Sequence, residues 1–277
     1  MAPPVLIGRV SPSPSSSSRG QVHSRRPSRL LLGLEARAVL EMTSLPLALP
    51  LLMRHVPRGD GHPVLVLPGL LASDASTAAL RAFLASLGYT VHGWGQGTNL
   101  GPRAGVLANL QATLAAMHSR DHRKVSVIGW SLGGIYAREL ARISPLSVRQ
   151  VLTLGSPLHG DPDRSTHAAG LYHLVAGRAP IEDPLRNVGP APVPTTSIYS
   201  RSDGVVSWGA SVERPGPQVE NVEVCNASHT GLGFNPLVWL VVGDRLAQAE
   251  GAWRRFAPPA WLKRMFPATA NEIWVAS

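Results

Sequence analysis

The feature that most restricts the fold is a set of three continuous apolar runs. They read VLVLPG at 64–69, KVSVIGW at 124–130 and VRQVLTLGS at 148–156. An unbroken apolar run is typical of a parallel strand whose two faces are both buried. Segments with the apolar spacing of a helix accompany the runs, at 74–87, 102–119 and 131–143. The alternation predicts a parallel sheet with helices packed on it.

Further segments extend this pattern. Strands are predicted at 89–95, 195–200 and 219–224, and a closing helix at 235–248. Regular alternation of strand and helix builds a mostly parallel sheet with helices on both faces, and functional groups gather where its strands end. We therefore predict the α/β class and look for the site at the carboxyl ends of the strands.

The N-terminal region differs in composition from the rest of the 277 residues. Residues 1–34 are rich in serine and carry five arginines and no acid. Such a segment cannot bury enough apolar surface to fold alone. We predict a basic, disordered extension at 1–34, or an over-long start upstream of Met42, followed by one domain at 35–277. Within 30–53, apolar spacing predicts one or two helices against the domain, broken at Pro46 and Pro50.

Charge and cysteine content exclude several classes of partner. The net charge is +9, but outside 1–34 the basic residues form no cluster, so nucleic-acid binding is not predicted. Cys225 is the single cysteine, which precludes an intramolecular disulfide and fits a reducing compartment. No His, Asp or Glu cluster has metal-ligand spacing, and neither a metal nor a cofactor is predicted. Nothing in the sequence indicates an oligomeric state.

The sequence contains no clear membrane or export signal. The most apolar stretch, 30–53, is interrupted by charges at Glu35, Arg37 and Glu41, so no transmembrane segment is predicted. A small-residue cleavage site is also missing after Arg25 and Arg26. These features favour the cytoplasm over secretion.

The segment Gly129-Trp130-Ser131-Leu132-Gly133 matches the nucleophile-elbow pattern G-x-S-x-G. It lies between a predicted strand and a predicted helix, which is the context that the pattern requires. Glycines on either side remove Cβ atoms that would collide as the strand turns into the helix. The alternative is a glycine-rich turn of a nucleotide-binding sheet, but no G-x-G-x-x-G or Walker lysine accompanies it. Ser131 is therefore the predicted nucleophile.

Two backbone N–H groups are candidates for an oxyanion hole. Leu132 follows the nucleophile at a helix N-terminus, where the helix dipole favours an anion. Leu70 follows Gly69 in the turn after the first apolar run, where the second donor usually lies. The alternative is that Pro68-Gly69 is an ordinary turn.

The order Ser, Asp, His along the chain selects the acid and the base. Asp203 follows the predicted strand at 195–200, and His229 follows the one at 219–224. His229 would accept the Ser131 proton, and Asp203 would orient the imidazole. Other candidates follow the earlier predicted strand at 148–156. Asp161 and Asp163 are alternative acids. His159, His167 and His173 are alternative bases, but each comes before Asp203 and so breaks the order.

Over residues 60–249 the sequence resembles the α/β-hydrolase family, and within it the bacterial triacylglycerol lipases and esterases. The resemblance lies in VLVLPGLLAS, VSVIGWSLGGIYARELA, LTLGSPLHG, SDGVV and SHTGL. It implies triad roles for Ser131, Asp203 and His229 and oxyanion roles for Leu70 and Leu132. Pro68 stands where many of these lipases carry histidine, which puts the detailed geometry of the oxyanion hole in doubt.

Three functions fit these residues. The first is hydrolysis of a small-molecule or lipid carboxylic ester through an acyl-enzyme on Ser131. The second is acyl transfer or thioester cleavage with the same triad. The third is a non-catalytic binding protein, which an intact triad disfavours. The long connection at 157–194 is predicted to form a short cap, and its apolar residues suit an acyl chain or packing on the core.

Overall fold

The sheet of this computed structural model, which describes residues 25–176 and 190–267, is parallel throughout. In this described part of the chain its strands have the order β2-β1-β3-β4-β5-β6. Their bounds are β1 Pro63–Leu67, β2 Thr90–His92, β3 Val125–Trp130, β4 Val148–Leu154, β5 Thr195–Tyr199 and β6 Val219–Glu223. All six lie within the predicted strand segments or one residue outside them, so the predicted α/β class is confirmed.

Helices follow each strand, as the alternation predicts, and two more precede β1. They are α1 Arg29–Gly33, α2 Ala38–His55, α3 Asp74–Ser86, α4 Val106–Asp121, α5 Leu132–Ile143, α6 Pro162–Ser165, α7 Ala169–Ala176, α8 Trp208–Ser211 and α9 Pro236–Leu246. Helix α4 begins later than the predicted residue 102, because Gly101 and Gly105 have positive φ angles of 90° and 85°. Such angles interrupt a right-handed helix.

Both faces of the sheet are buried, as the continuous apolar runs indicate. Along β1, Val64 and Val66 pack into a cluster with residues of α2, α3 and α9, whereas Leu65 and Leu67 pack into a second cluster with α4 and α5. Successive side chains of a strand point to opposite faces, so a strand covered on both sides needs an apolar residue at every position.

The N-terminal residues pack along one side of the domain. A 3-10 turn at Leu34–Arg37 joins α1 to α2, and α1 falls in residues that the sequence assigned to the extension; residues 1–24 lie outside the described residues. The predicted break at Pro46 and Pro50 is wrong, because α2 is continuous through both. Both prolines are exposed, so solvent can hydrate the carbonyl groups that lose their helical donors.

One stretch of the described residues is long and apolar enough to cross a membrane, namely the 27 residues Arg29–His55. The sequence-based expectation of no such segment treated Glu35, Arg37 and Glu41 within it as interruptions. Within its most apolar window, 11% of the residues are buried in the protein.

The predicted cap at 157–194 is described in part. Helices α6 and α7 belong to it, and an antiparallel bridge joins Thr166 to Val206 in the loop before α8. Residues 177–189 of the predicted cap lie outside the described residues, so the cap remains a prediction.

Candidate active site

Ser131 occupies a strained turn between β3 and α5. Its φ angle is 53° with ψ −120°, a conformation that non-glycine residues rarely adopt. The flanking glycines are required by space: a Cβ on Gly129 would lie 2.3 Å from the carbonyl carbon of Gly133, and a Cβ on Gly133 would lie 2.4 Å from the Leu67 oxygen. The strand therefore meets the helix closely enough to hold the serine hydroxyl at the end of the sheet.

The structure brings Ser131, His229 and Asp203 into one hydrogen-bonded series. The Nε2 atom of His229 lies 3.0 Å from Ser131 Oγ, and its Nδ1 lies 2.7 Å from Asp203 Oδ2. Because a carboxylate only accepts hydrogen bonds, Nδ1 carries the proton and Nε2 is left to accept from the serine. The residues come from loops after β3, β5 and β6, which all end at the same edge of the sheet.

Asp203 is fixed by its own backbone surroundings. Its second oxygen, Oδ1, accepts hydrogen bonds from the N–H groups of Val205 and Val206 at 2.8 and 2.7 Å. The side chain is buried, so it is held in one orientation towards the His229 ring.

The rival acids and bases have other partners. His173 contacts Asp163, His159 contacts Glu213, and Asp161 accepts a bond from the Asp163 N–H. His167 lies against the carbonyl oxygen of Pro27. In the part of the chain that the structure describes, these residues have no hydrogen bond to Ser131.

The electrostatic environment of His229 raises the pKa of its imidazole ring. Burial acts to lower the pKa of His229, but the charge and hydrogen bond of Asp203, with the charge of Glu35, raise it above its ordinary value. The buried Trp130 fixes the same loop, since its indole N–H donates to the His229 carbonyl oxygen at 3.2 Å. A proton taken up by the ring is therefore stabilised.

The loop at 68–72 lies directly beside Ser131. A Cβ on Gly69 would come within 3.2 Å of the Ser131 Cβ, so glycine permits this approach. Asn99, fully buried, holds the loop: its side chain donates to the Pro68 oxygen at 2.9 Å, and its carbonyl accepts from the Leu71 N–H at 2.8 Å. Leu70 therefore lies in a fixed turn on one side of the serine.

Leu132, on the other side of the serine, is the first residue of α5. The first N–H groups of a helix have no acceptor within the helix. Both predicted oxyanion residues thus flank Ser131. Asn99 was missed in the sequence, because within GTNLGP it is indistinguishable from an ordinary turn residue.

The N-terminal segment contributes contacts that the sequence did not indicate. Glu35 accepts hydrogen bonds from the N–H groups of Gly204 and His229, at 2.8 and 2.9 Å, and from that of Thr230 at 3.1 Å. It thereby joins the loop that carries Asp203 to the loop that carries His229.

Two further charged residues of this segment support the same loops. Glu41 accepts from the backbone N–H and the hydroxyl of Ser228, at 2.8 and 2.7 Å. Arg37 donates to the carbonyl oxygens of Ser202 and Ala227. The charges that interrupt the apolar stretch in the sequence are thus directed towards the site.

Solved structures reveal which fold this site belongs to. No protein-family profile and no curated protein sequence matches the chain. Aspergillus fumigatus lipase B is similar in structure, with a TM-score of 0.57 and 18% identity, over 73% of this chain and 58% of the lipase. The chain has the α/β-hydrolase fold. It spans less than two thirds of that lipase.

Other solved proteins with this fold are also similar. A metagenome-derived lipolytic enzyme gives a TM-score of 0.49 at 19% identity, covering 68% of this chain and 94% of the enzyme. The Paleococcus ferrophilus monoacylglycerol lipase gives 0.47 at 16% identity, covering 67% and 97%. The 18% identity to Aspergillus fumigatus lipase B establishes the α/β-hydrolase fold alone, because one fold supports many reactions.

No group of three His, Cys, Asp or Glu side chains that could hold a metal ion occurs among residues 25–176 and 190–267. Ser131, His229 and Asp203 bring a hydroxyl, an imidazole and a carboxylate together at this edge of the sheet.

Proposed function

We propose that this protein hydrolyses carboxylic esters, with Ser131 as nucleophile, His229 as general base and Asp203 as the acid that orients it. The main support is the hydrogen-bonded series of the three side chains. Ser131 Oγ lies 3.0 Å from His229 Nε2, and His229 Nδ1 lies 2.7 Å from Asp203 Oδ2. This is the arrangement that lets an imidazole take the proton of a serine hydroxyl while a carboxylate orients the ring.

In the acylation half-reaction, Ser131 Oγ attacks the ester carbonyl carbon while His229 Nε2 takes the hydroxyl proton. The backbone N–H groups of Leu70 and Leu132 donate to the carbonyl oxygen as it becomes negative. The C–O bond to the alcohol then breaks, and His229 returns its proton to the departing oxygen. The product is an acyl ester of Ser131 and a free alcohol.

In the deacylation half-reaction, water replaces the alcohol. His229 accepts a proton from the water as its oxygen attacks the acyl carbon, and it protonates Ser131 Oγ when the acyl bond breaks. Asp203 stabilises the imidazolium ion in both halves. The carboxylic acid product leaves, and the free Ser131 hydroxyl is regenerated without a cofactor.

The proposed substrates are small-molecule or lipid esters. The named neighbours are a fungal lipase, a lipolytic enzyme and a monoacylglycerol lipase. Leu71 in the loop beside Ser131, and Leu171 and Leu174 on α7, are exposed apolar side chains. They favour an ester with an apolar acyl chain over a charged one.

A fluorophosphonate probe tests the nucleophile. We expect the probe to label Ser131 and expect Ser131→Ala to lose both labelling and p-nitrophenyl ester cleavage, by a thousandfold or more, on the order of other triad deletions. Ser86→Ala, an exposed serine on α3, is the matched control and should keep both. Folded wild-type protein that stays unlabelled would reject the proposal.

The acid assignment and the acceptor are tested separately. Asp203→Asn should reduce kcat by about 10⁴, because it favours the wrong imidazole tautomer, whereas Asp161→Asn should have little effect. A larger loss in Asp161→Asn than in Asp203→Asn would assign the acid elsewhere.

An ester panel of varied acyl length, run with competing alcohols, identifies the group that accepts the acyl chain. Acyl transfer to alcohol that is faster than hydrolysis would show that the protein is an acyltransferase and not a hydrolase.

A further inference from the structure

The outer surface of the N-terminal helical segment is apolar to an unusual degree. We call the exposed side chains of residues 29–55 the outer face. Leu30, Leu40 and Leu47 on it are 73%, 71% and 85% exposed, and Val39, Met42 and Leu51 are exposed beside them. Soluble monomers rarely expose so many large apolar residues on one element, and such surfaces mark binding sites.

The charges of this segment are on its other side. Between Arg29 and Arg54 the charged residues are Glu35, Arg37 and Glu41, and all three are partly buried and hydrogen-bonded to the Asp203 and His229 loops. The segment thus directs these three charges, with Leu45 and Leu52, towards the protein and leaves its other leucines towards the surroundings, whereas an ordinary surface helix has a polar outer face.

The ends of the outer face are basic. Arg29 is exposed at its start, Arg25 just before it and Arg54 at its end, and no acidic side chain in the range 25–59 is exposed. Beyond α2, the ring of Trp261 lies 5.6 Å from that of His55 and is 58% exposed, with exposed Lys263 and Arg264 next in the chain.

Leucines flanked by arginines, lysine and an exposed tryptophan match the interface of a lipid bilayer. Apolar side chains enter the acyl region, tryptophan prefers the headgroup level, and basic side chains attract anionic lipids. A second copy of this chain fits less well, because an antiparallel pairing of the two faces would bring basic ends together.

We propose that the outer face binds the surface of a bilayer containing anionic lipids, with the segment lying in the plane of the membrane. It lies in the plane because the segment is attached along its length: Leu45 and Leu52 of α2 are buried in the cluster that includes α9, and Glu35, before α2, and Glu41, within it, bind the site loops. Crossing the bilayer would break these contacts and bury three charges in hydrocarbon.

Vesicle sedimentation tests the proposal, with the full chain carrying Ser131→Ala so that lipid is not consumed and the result does not depend on the proposed function. We expect binding to phosphatidylcholine vesicles that contain phosphatidylglycerol, weaker binding to phosphatidylcholine alone, and weakening by salt. Leu40→Ser and Leu47→Ser should each reduce binding about tenfold, in line with the transfer free energy of one leucine side chain.

Leu146→Ser is the matched control. Leu146 is 82% exposed but lies between α5 and β4, outside the outer face, so its replacement should leave vesicle binding unchanged. Equal losses from Leu47→Ser and Leu146→Ser, or no binding to either kind of vesicle, would overturn the proposal. So would light scattering that shows a dimer which Leu47→Ser dissociates, since the outer face would then be a contact between copies.

Discussion

Replacing Glu35 by glutamine removes one negative charge beside the His229 loop and keeps the size of the side chain. The carboxylate accepts three backbone N–H groups, those of Gly204, His229 and Thr230. The glutamine oxygen can still accept from the first two, but its amide group faces the Thr230 donor. We expect the free energy of unfolding to fall by roughly 1.5–3 kcal/mol, the usual range for hydrogen bonds to a charged group.

The same replacement should change the pH dependence of activity. The acid limb of kcat/KM reports protonation of His229 in the free enzyme. Glu35 is one of the charges that raise the pKa of His229. Without it the pKa falls, so the acid limb should move to lower pH. At the pH optimum, kcat/KM should fall about tenfold, equivalent to about 1.4 kcal/mol, because the acid and base loops lose their shared support.

Glu41→Gln distinguishes the effect of a carboxylate charge on the pKa of His229 from the effect of the hydrogen bonds that hold its loop. Glu41 holds the same loop through Ser228, but its charge is not among the causes of the raised His229 pKa. This variant should lose stability without moving the acid limb. Stability is measured by urea unfolding, and the acid limb of the kcat/KM profile by ester hydrolysis between pH 5 and 9. An acid limb that stays in place in Glu35→Gln, or that moves equally in both variants, would refute the reasoning.

Two further predictions concern packing and pH. Gly133→Ala should lose more than about 2 kcal/mol of stability, because the new Cβ would lie 2.4 Å from the Leu67 oxygen. Gly170→Ala is the control, because the space around Gly170 is open. Thermal unfolding that shifts Tm equally in both variants would contradict the prediction. Burial lowers the pKa of His62 from 6.5 to about 4. The unfolded chain therefore binds the proton first, and stability should fall by up to about 3 kcal/mol from pH 6.5 towards pH 4. His62→Gln should flatten this part of the urea-derived profile, and an equally steep fall in the variant would contradict it.

The sheet, and the meeting of Ser131, Asp203 and His229 at one edge of it, could be predicted from sequence because both depend on local patterns. Continuous apolar runs identify doubly buried strands, and the glycines around Ser131 follow from the space available where β3 meets α5. Asp203 and His229 were selected by chain order and by their position after a strand. The same rule set aside His159 and His173, which the structure pairs with Glu213 and Asp163.

The support of the site could not be predicted in this way. Glu35 and Glu41 contact residues 169 to 195 positions later in the chain, and no local spacing reports such contacts. In sequence they were interruptions of an apolar stretch. The continuous path of α2 through Pro46 was missed for a related reason, because its packing on α9 outweighs a local helix-breaking preference.

The contacts of Glu35 also bear on how the protein is made. Its partners at Gly204 and His229 are synthesised 169 and 194 residues later. At the usual pace of translation this delay is roughly 10–40 s. During that time α1 and α2 leave the ribosome with their leucines uncovered and their acidic side chains without the loops they later hold. A nascent chain therefore exposes these leucines to chaperones and lipid surfaces well before Ser131, Asp203 and His229 can meet.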